Sequence, residues 1–81
     1  MNEESKPRKV NRFFRHAVKR DIEGLEEQLL LTDRQYRIYR LFYLEHKDLN
    51  FISDCVYISP SAVEKELRLI REKIVNHMRF N

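Results

Sequence analysis

The chain has 81 residues with a formal net charge of +3, one glycine, two prolines and a single cysteine, Cys55. This length predicts one small domain, and one cysteine excludes both an internal disulfide and a cysteine-based zinc site. There is no apolar run long enough to span a membrane, and the basic N-terminus lacks the apolar core of a signal peptide. We therefore expect no membrane partner and a cytoplasmic location.

The charge is distributed unevenly along the chain. Residues 1–20 carry seven basic and two acidic side chains, a net +5, whereas residues 21–30 carry −4. A concentrated basic block of this kind is typical of contact with a polyanion such as DNA phosphate. The alternative is a solvated helix face whose charges serve solubility.

The scarcity of glycine and proline and the lack of strand-like alternation predict an all-α fold with four helices. The first is expected from Pro7 to Leu29. We expect a break or bend at Gly24, where glycine costs about 1 kcal/mol relative to alanine and where the charge changes sign. Its apolar side consists of Val10, Phe14, Ala17, Ile22, Leu25 and Leu29.

The second helix is predicted to begin with a capping box formed by Thr32 and Gln35 and to end near Glu45 or His46. Its apolar face consists of Tyr36, Ile38, Tyr39, Leu41, Phe42 and Leu44. The tyrosines of the chain, Tyr57 included, suit a base-stacking platform or a packed core, and their spacing beside leucines favours packing with wet hydroxyls.

The third helix is predicted from Leu49 to Val56 and the fourth from Ser59 to about Met78. Ser59 is placed to cap the fourth helix, and Pro60 takes its first position, where the missing N–H is harmless. Apolar residues spaced for one buried stripe follow. We expect the core to include Ile52, Val56, Val63, Leu67 and Ile70.

A short helix, a three- or four-residue turn and a long helix are the parts of a helix-turn-helix, which places its second helix in the DNA major groove. The predicted fold is therefore a small four-helix domain without a wing. Residues 1–30 form a basic N-terminal segment and helix, and residues 31–81 form the tri-helical helix-turn-helix domain.

Landmarks upstream of the turn have a characteristic spacing. They are Leu31, Arg34 with Gln35, Ile38 with Leu41, the run Tyr43-Leu44-Glu45, Ile52, and the run Ile58-Ser59-Pro60-Ser61-Ala62-Val63. In these features residues 31–75 resemble region four of bacterial sigma factors, which recognises the −35 promoter element and contacts the RNA polymerase flap. Nothing in the chain corresponds to the sigma region that melts the −10 element. We therefore expect a small regulator of the kind carried by phages and mobile elements.

Three positions depart from the sigma pattern. Tyr57 stands where the family usually has glycine, because the turn there prefers a positive φ, and a tyrosine in that conformation costs on the order of 1 kcal/mol. Ser53 replaces the usual small alanine of the first helix of the motif. Glu64, with Glu66 nearby, stands where the family is often basic; a carboxylate accepts from cytosine N4 but repels phosphate.

The side chains that reach base edges in this motif lie on the exposed face at the start of its second helix. Lys65 and Arg68 are expected to donate to guanine O6 and N7 or to phosphate, and Ser61 to contact phosphate or base. Arg71 lies a turn further on, at DNA backbone or solvent. The predicted DNA-binding set is Ser59, Ser61, Ala62, Glu64, Lys65, Arg68 and Arg71, together with Arg8, Lys9 and Arg12 of the basic block.

These residues predict a sequence-specific DNA-binding transcription regulator with double-stranded DNA as its partner. One alternative is a protein-binding module that contacts RNA polymerase or a host regulator, because the mixed charge around Lys65 suits a protein surface. Another is a DNA-packaging recognition subunit of a phage. The long apolar stripes of the predicted first and fourth helices are expected either to pack on each other within one chain or to pair two chains as a homodimer. The scattered histidines and the missing nucleophile–base pair predict no metal, no cofactor and no catalysis.

Overall fold

The computed structural model describes residues 5–79, and helices account for most of them. The elements are α1 (Lys6–His16), α2 (Lys19–Gln28), α3 (Asp33–Tyr39), a π-helical segment (Arg40–Leu44), α4 (Leu49–Val56) and α5 (Pro60–Arg79). No strand occurs in the described range. The predicted all-α class is confirmed, but residues 5–79 form five α-helices where four were expected. No helix among these residues has the length and apolarity needed to cross a bilayer.

The chain divides into two compact units. The central unit, residues 31–70, holds α3, the π-helical segment, α4 and the first part of α5. The terminal unit consists of residues 1–30 and 71–81, of which 5–30 and 71–79 are described. The division into domains 1–30 and 31–81 stays a prediction, and the outermost residues of both domains lie outside the described range.

The N-terminal helix is broken at Ala17 and Val18, not at Gly24. Both residues are extended, with ψ of 137° and 170°, and they separate α1 from α2. The Asp21 carboxylate accepts a hydrogen bond from the Val18 N–H at 3.2 Å and so fixes the start of α2. Gly24 lies inside α2. The prediction of a single helix from Pro7 to Leu29 was therefore wrong. A carboxylate that bonds the backbone outside the helix competes with helix continuation, whereas one glycine is tolerated within a helix.

Among the described residues of the terminal unit, five apolar ones are buried: Val10, Leu25, Leu29, Ile74 and Val75. Within the same unit the Lys73 ammonium donates to the Leu30 carbonyl oxygen at 2.7 Å. This bond ties the end of α5 to the segment that follows α2. Lys73 therefore has a structural role within this unit.

In the central unit, α3 begins with the predicted capping box. The Gln35 N–H donates to Thr32 Oγ1 at 3.1 Å, and the Thr32 N–H donates to Gln35 Oε1 at 3.2 Å. Each side chain thus satisfies a backbone group that the helix leaves unpaired. The prediction of this helix start is confirmed.

The helix then widens into the π-helical segment, which the sequence did not predict. The Glu45 N–H donates to the Arg40 carbonyl five residues back, and His46 adopts a left-handed conformation with φ of 58°. Tyr39 and Tyr43 are both buried, with ring centroids 6.1 Å apart. The expected packing role of these two tyrosines is confirmed.

All five residues predicted for the core, Ile52, Val56, Val63, Leu67 and Ile70, are also buried.

Candidate functional site

The start of α5 is built by local hydrogen bonds on both sides of a three-residue turn. Asp48 caps α4 by accepting from the Phe51 N–H at 2.8 Å, and α4 ends at Val56. After the turn, Ser59 Oγ accepts from the Ala62 N–H at 3.2 Å, and Pro60 is the first residue of α5. The prediction that Ser59 caps α5 is confirmed. The helix uses one acceptor lone pair of its hydroxyl oxygen.

Tyr57 has the left-handed conformation expected for this turn, with φ of 60° and ψ of 38°. Its N–H donates to the Ser53 carbonyl at 2.9 Å, and the Ser53 hydroxyl donates to the Ile58 carbonyl oxygen. One serine therefore holds the turn at two consecutive residues. The hydrogen bond of the Ser53 hydroxyl contributes about 1 kcal/mol, which is comparable to the cost of placing a non-glycine residue in this conformation.

The expectation that Tyr57 packs in the core was wrong, because its side chain is 90% exposed. The reversed backbone conformation takes residue 57 out of the apolar stripe that Ile52 and Val56 continue along α4. Position 57 therefore presents an aromatic side chain to solvent beside the start of α5.

The first two turns of α5 present one exposed face. Ser61, Lys65 and Arg68 follow one another at intervals of four and three, so they lie along one side of the helix, with Glu64 beside them. All four are exposed, and Ala62 is half-buried next to the cap. The opposite side contains the buried residues Val63, Leu67 and Ile70. The structure thus groups most of the residues that the sequence predicted for α5.

This face also contains an apolar residue that the sequence did not single out. Leu69 is 51% exposed and lies one turn after Lys65. Its four-residue spacing from Lys65 was the available signal. The face is therefore mixed, with two cations, one carboxylate, one hydroxyl and one large apolar side chain.

Arg71 differs from Lys65 and Arg68 in its environment. It is half-buried, and its Nε atom is shielded from solvent with no hydrogen-bond partner among the described residues. Arg71 also falls in the terminal unit, whereas Ser61 to Arg68 lie in the central one. The structure accordingly does not group Arg71 with the exposed face.

A second group of predicted residues lies on α1. Arg8 and Arg12 are exposed, and with Arg15 they line an open groove of about 440 Å³. Their spacing of four and three places the three guanidinium groups on one face of the helix. Lys9 is half-buried and lies instead on a neighbouring concavity of about 310 Å³, which Arg12 also lines. Arg15 was missed by the sequence prediction, although its spacing indicated it.

Other chemistry is sparse in the part of the chain that the structure describes. Within residues 5–79 no group of three or more histidine, cysteine or acidic side chains is arranged to hold a metal ion. Cys55 is half-buried on α4. Comparisons of the chain with known protein families, with curated proteins and with solved structures found no match.

Proposed function

We propose that the chain is a sequence-specific DNA-binding transcription regulator. In this proposal α4, the turn at residues 57–59 and α5 form a helix-turn-helix similar to that of sigma region four, and α5 enters the major groove. The observation that carries the proposal is the start of α5. A left-handed turn and a serine cap precede a helix whose exposed face holds Ser61, Lys65 and Arg68.

The chemistry of this face suits base edges. Lys65 and Arg68 can donate to guanine O6 and N7, and Glu64 can accept from cytosine N4. Ser61 can donate to a phosphate oxygen or a base at the groove edge. Because these donors and this acceptor match guanine and cytosine, we expect the target sequence to contain G·C pairs.

The exposed face of α5 has little net charge, because Glu64 offsets one of its two cations. Most of the electrostatic attraction to DNA must then come from elsewhere, and the basic face of α1 with Arg8, Arg12 and Arg15 is the concentrated source. These residues would bind phosphate without regard to sequence. The affinity should fall with salt with a log–log slope of about −0.9 per phosphate contacted.

The test is selection of bound duplexes from a random DNA pool, followed by titration of the selected duplex and a scrambled one. Lys65→Ala and Arg68→Ala should reduce the preference for the selected duplex, whereas Arg8→Ala should weaken binding to both duplexes equally. Arg34→Ala is a matched control, because it removes the same charge from an exposed position on α3. If no sequence is enriched and binding is insensitive to salt, the proposal is wrong.

Symmetry in the selected sequence reports on self-association. A homodimer would place two copies of α5 one DNA turn apart, about 34 Å, and would select a palindrome. A monomer would select a single asymmetric site. Sedimentation of the protein with and without the selected duplex distinguishes these states independently.

A protein-binding module is the second candidate, and Leu69 is the observation that favours it. A half-exposed leucine beside Lys65 and Glu64 suits a partner protein better than it suits a phosphate backbone. The proposed partner is an RNA polymerase subunit. Retention of purified polymerase by the wild type but not by Leu69→Ser, without DNA binding by the wild type alone, would favour this function over the first.

A further inference from the structure

Tyr57 combines a left-handed backbone conformation with an exposed aromatic side chain. Its φ of 60° is a conformation that glycine adopts freely and that costs other residues on the order of 1 kcal/mol. An aromatic residue offsets such a cost when its ring is buried, but the Tyr57 side chain is 90% exposed. Residues held in strained backbone conformations are concentrated at functional sites.

The turn fixes the conformation of Tyr57 through Ser53. The Tyr57 N–H and the Ile58 carbonyl are both bonded to that residue, one to its carbonyl and one to its hydroxyl. The backbone at position 57 is therefore set before any partner binds. Two peptide units separate Tyr57 from Ser59, so its Cα lies within about 7.6 Å of that of the α5 cap.

We propose that Tyr57 contacts the sugar–phosphate backbone at the edge of the groove that α5 enters, with its ring against a deoxyribose and its hydroxyl donating to a phosphate oxygen. This inference rests on the proposed DNA-binding function. Tyrosine is among the side chains that donate to phosphate, and such contacts orient a protein on DNA without reading sequence. Because Tyr57 precedes α5, the base edges are left to Lys65 and Arg68.

Tyr57→Ala and Tyr57→Phe, titrated against the selected and the scrambled duplex, test this role. Tyr57→Ala should weaken binding to both duplexes about five- to tenfold and leave their affinity ratio unchanged. Tyr57→Phe should lose part of this affinity, because it removes only the hydroxyl. The salt slope should not change in either variant, since a neutral side chain displaces no counterions. Circular dichroism would verify that each variant keeps its helical content.

The outcomes separate this inference from the function on which it rests. If the wild type binds DNA and Arg68→Ala loses preference, but Tyr57→Ala binds as tightly as the wild type, only the role of Tyr57 is refuted. A changed affinity ratio in Tyr57→Ala would also refute a backbone contact. If the wild type shows no salt-dependent DNA binding, the proposed function is wrong and the role of Tyr57 falls with it.

Discussion

Replacing Tyr57 with glycine is expected to stabilise the fold. The left-handed conformation costs a residue with a Cβ about 1–2 kcal/mol, and glycine removes that cost. Glycine also lowers the free energy of unfolding by up to about 1 kcal/mol, because it gains more conformational freedom on unfolding than tyrosine does. The ring is 90% exposed, so its loss removes little packing. The net gain in the free energy of unfolding should be about 0.5–1 kcal/mol.

Tyr57→Ala is the matched control for this prediction, because it removes the ring but keeps the Cβ that causes the strain. Its stability should lie within about 0.5 kcal/mol of the wild type. Urea unfolding followed by circular dichroism measures the stability of both variants. In thermal unfolding, the midpoint temperature of Tyr57→Gly should lie about 2–8 °C above that of the wild type. If the glycine variant is no more stable than the alanine variant, the assignment of strain to Tyr57 is wrong.

Three further predictions concern the helices and use the same urea assay. Gly24→Ala should stabilise the fold by about 1 kcal/mol, because a Cβ there meets nothing within 4 Å; a loss of stability would mean that α2 is not helical at Gly24. Thr32→Ala should cost about 1 kcal/mol through the loss of the α3 cap, and an unchanged midpoint would contradict the capping box. Ile52→Ala should cost about 2–5 kcal/mol, because Ile52 is fully buried, and a cost below 1 kcal/mol would place it outside the core.

Much of the fold could be predicted because its signals are local. The capping roles of Thr32 and Ser59 depend on side chains within three residues of the groups they bond, so sequence spacing reveals them. The buried positions Val63 and Leu67 follow from helical periodicity, which is set by backbone geometry and not by distant contacts. For the same reason, the exposure of Lys65 and its neighbours on α5 follows from the positions of the buried residues.

The break between α1 and α2 could not be predicted because three small energies compete. Gly24 costs about 1 kcal/mol within a helix, and the hydrogen bond from the Val18 N–H to Asp21 contributes about the same. The β-branched side chain of Val18 also loses rotamer freedom in a helix. The sequence contains all three signals but does not rank them.

The π-helical segment and the exposure of Tyr57 depend on structure beyond the local sequence. Widening the helix from Arg40 accompanies the burial of both Tyr39 and Tyr43, which is a tertiary effect. Tyr57 has the spacing of a packing residue, yet its left-handed backbone takes it off the apolar side of α4. The positive φ was predictable from the turn, but the direction of the side chain was not.

The central claim is that the exposed face of α5 reads DNA sequence. It is tested most directly by the ratio of affinities for the selected and the scrambled duplex, measured at one salt concentration for the wild type, Arg68→Ala and Arg8→Ala. We predict a wild-type ratio of about 10³ or more, a ratio reduced about 5- to 150-fold in Arg68→Ala, and an unchanged ratio in Arg8→Ala. The claim would be contradicted by a wild-type affinity ratio near one, or by an affinity ratio in Arg68→Ala equal to that of the wild type.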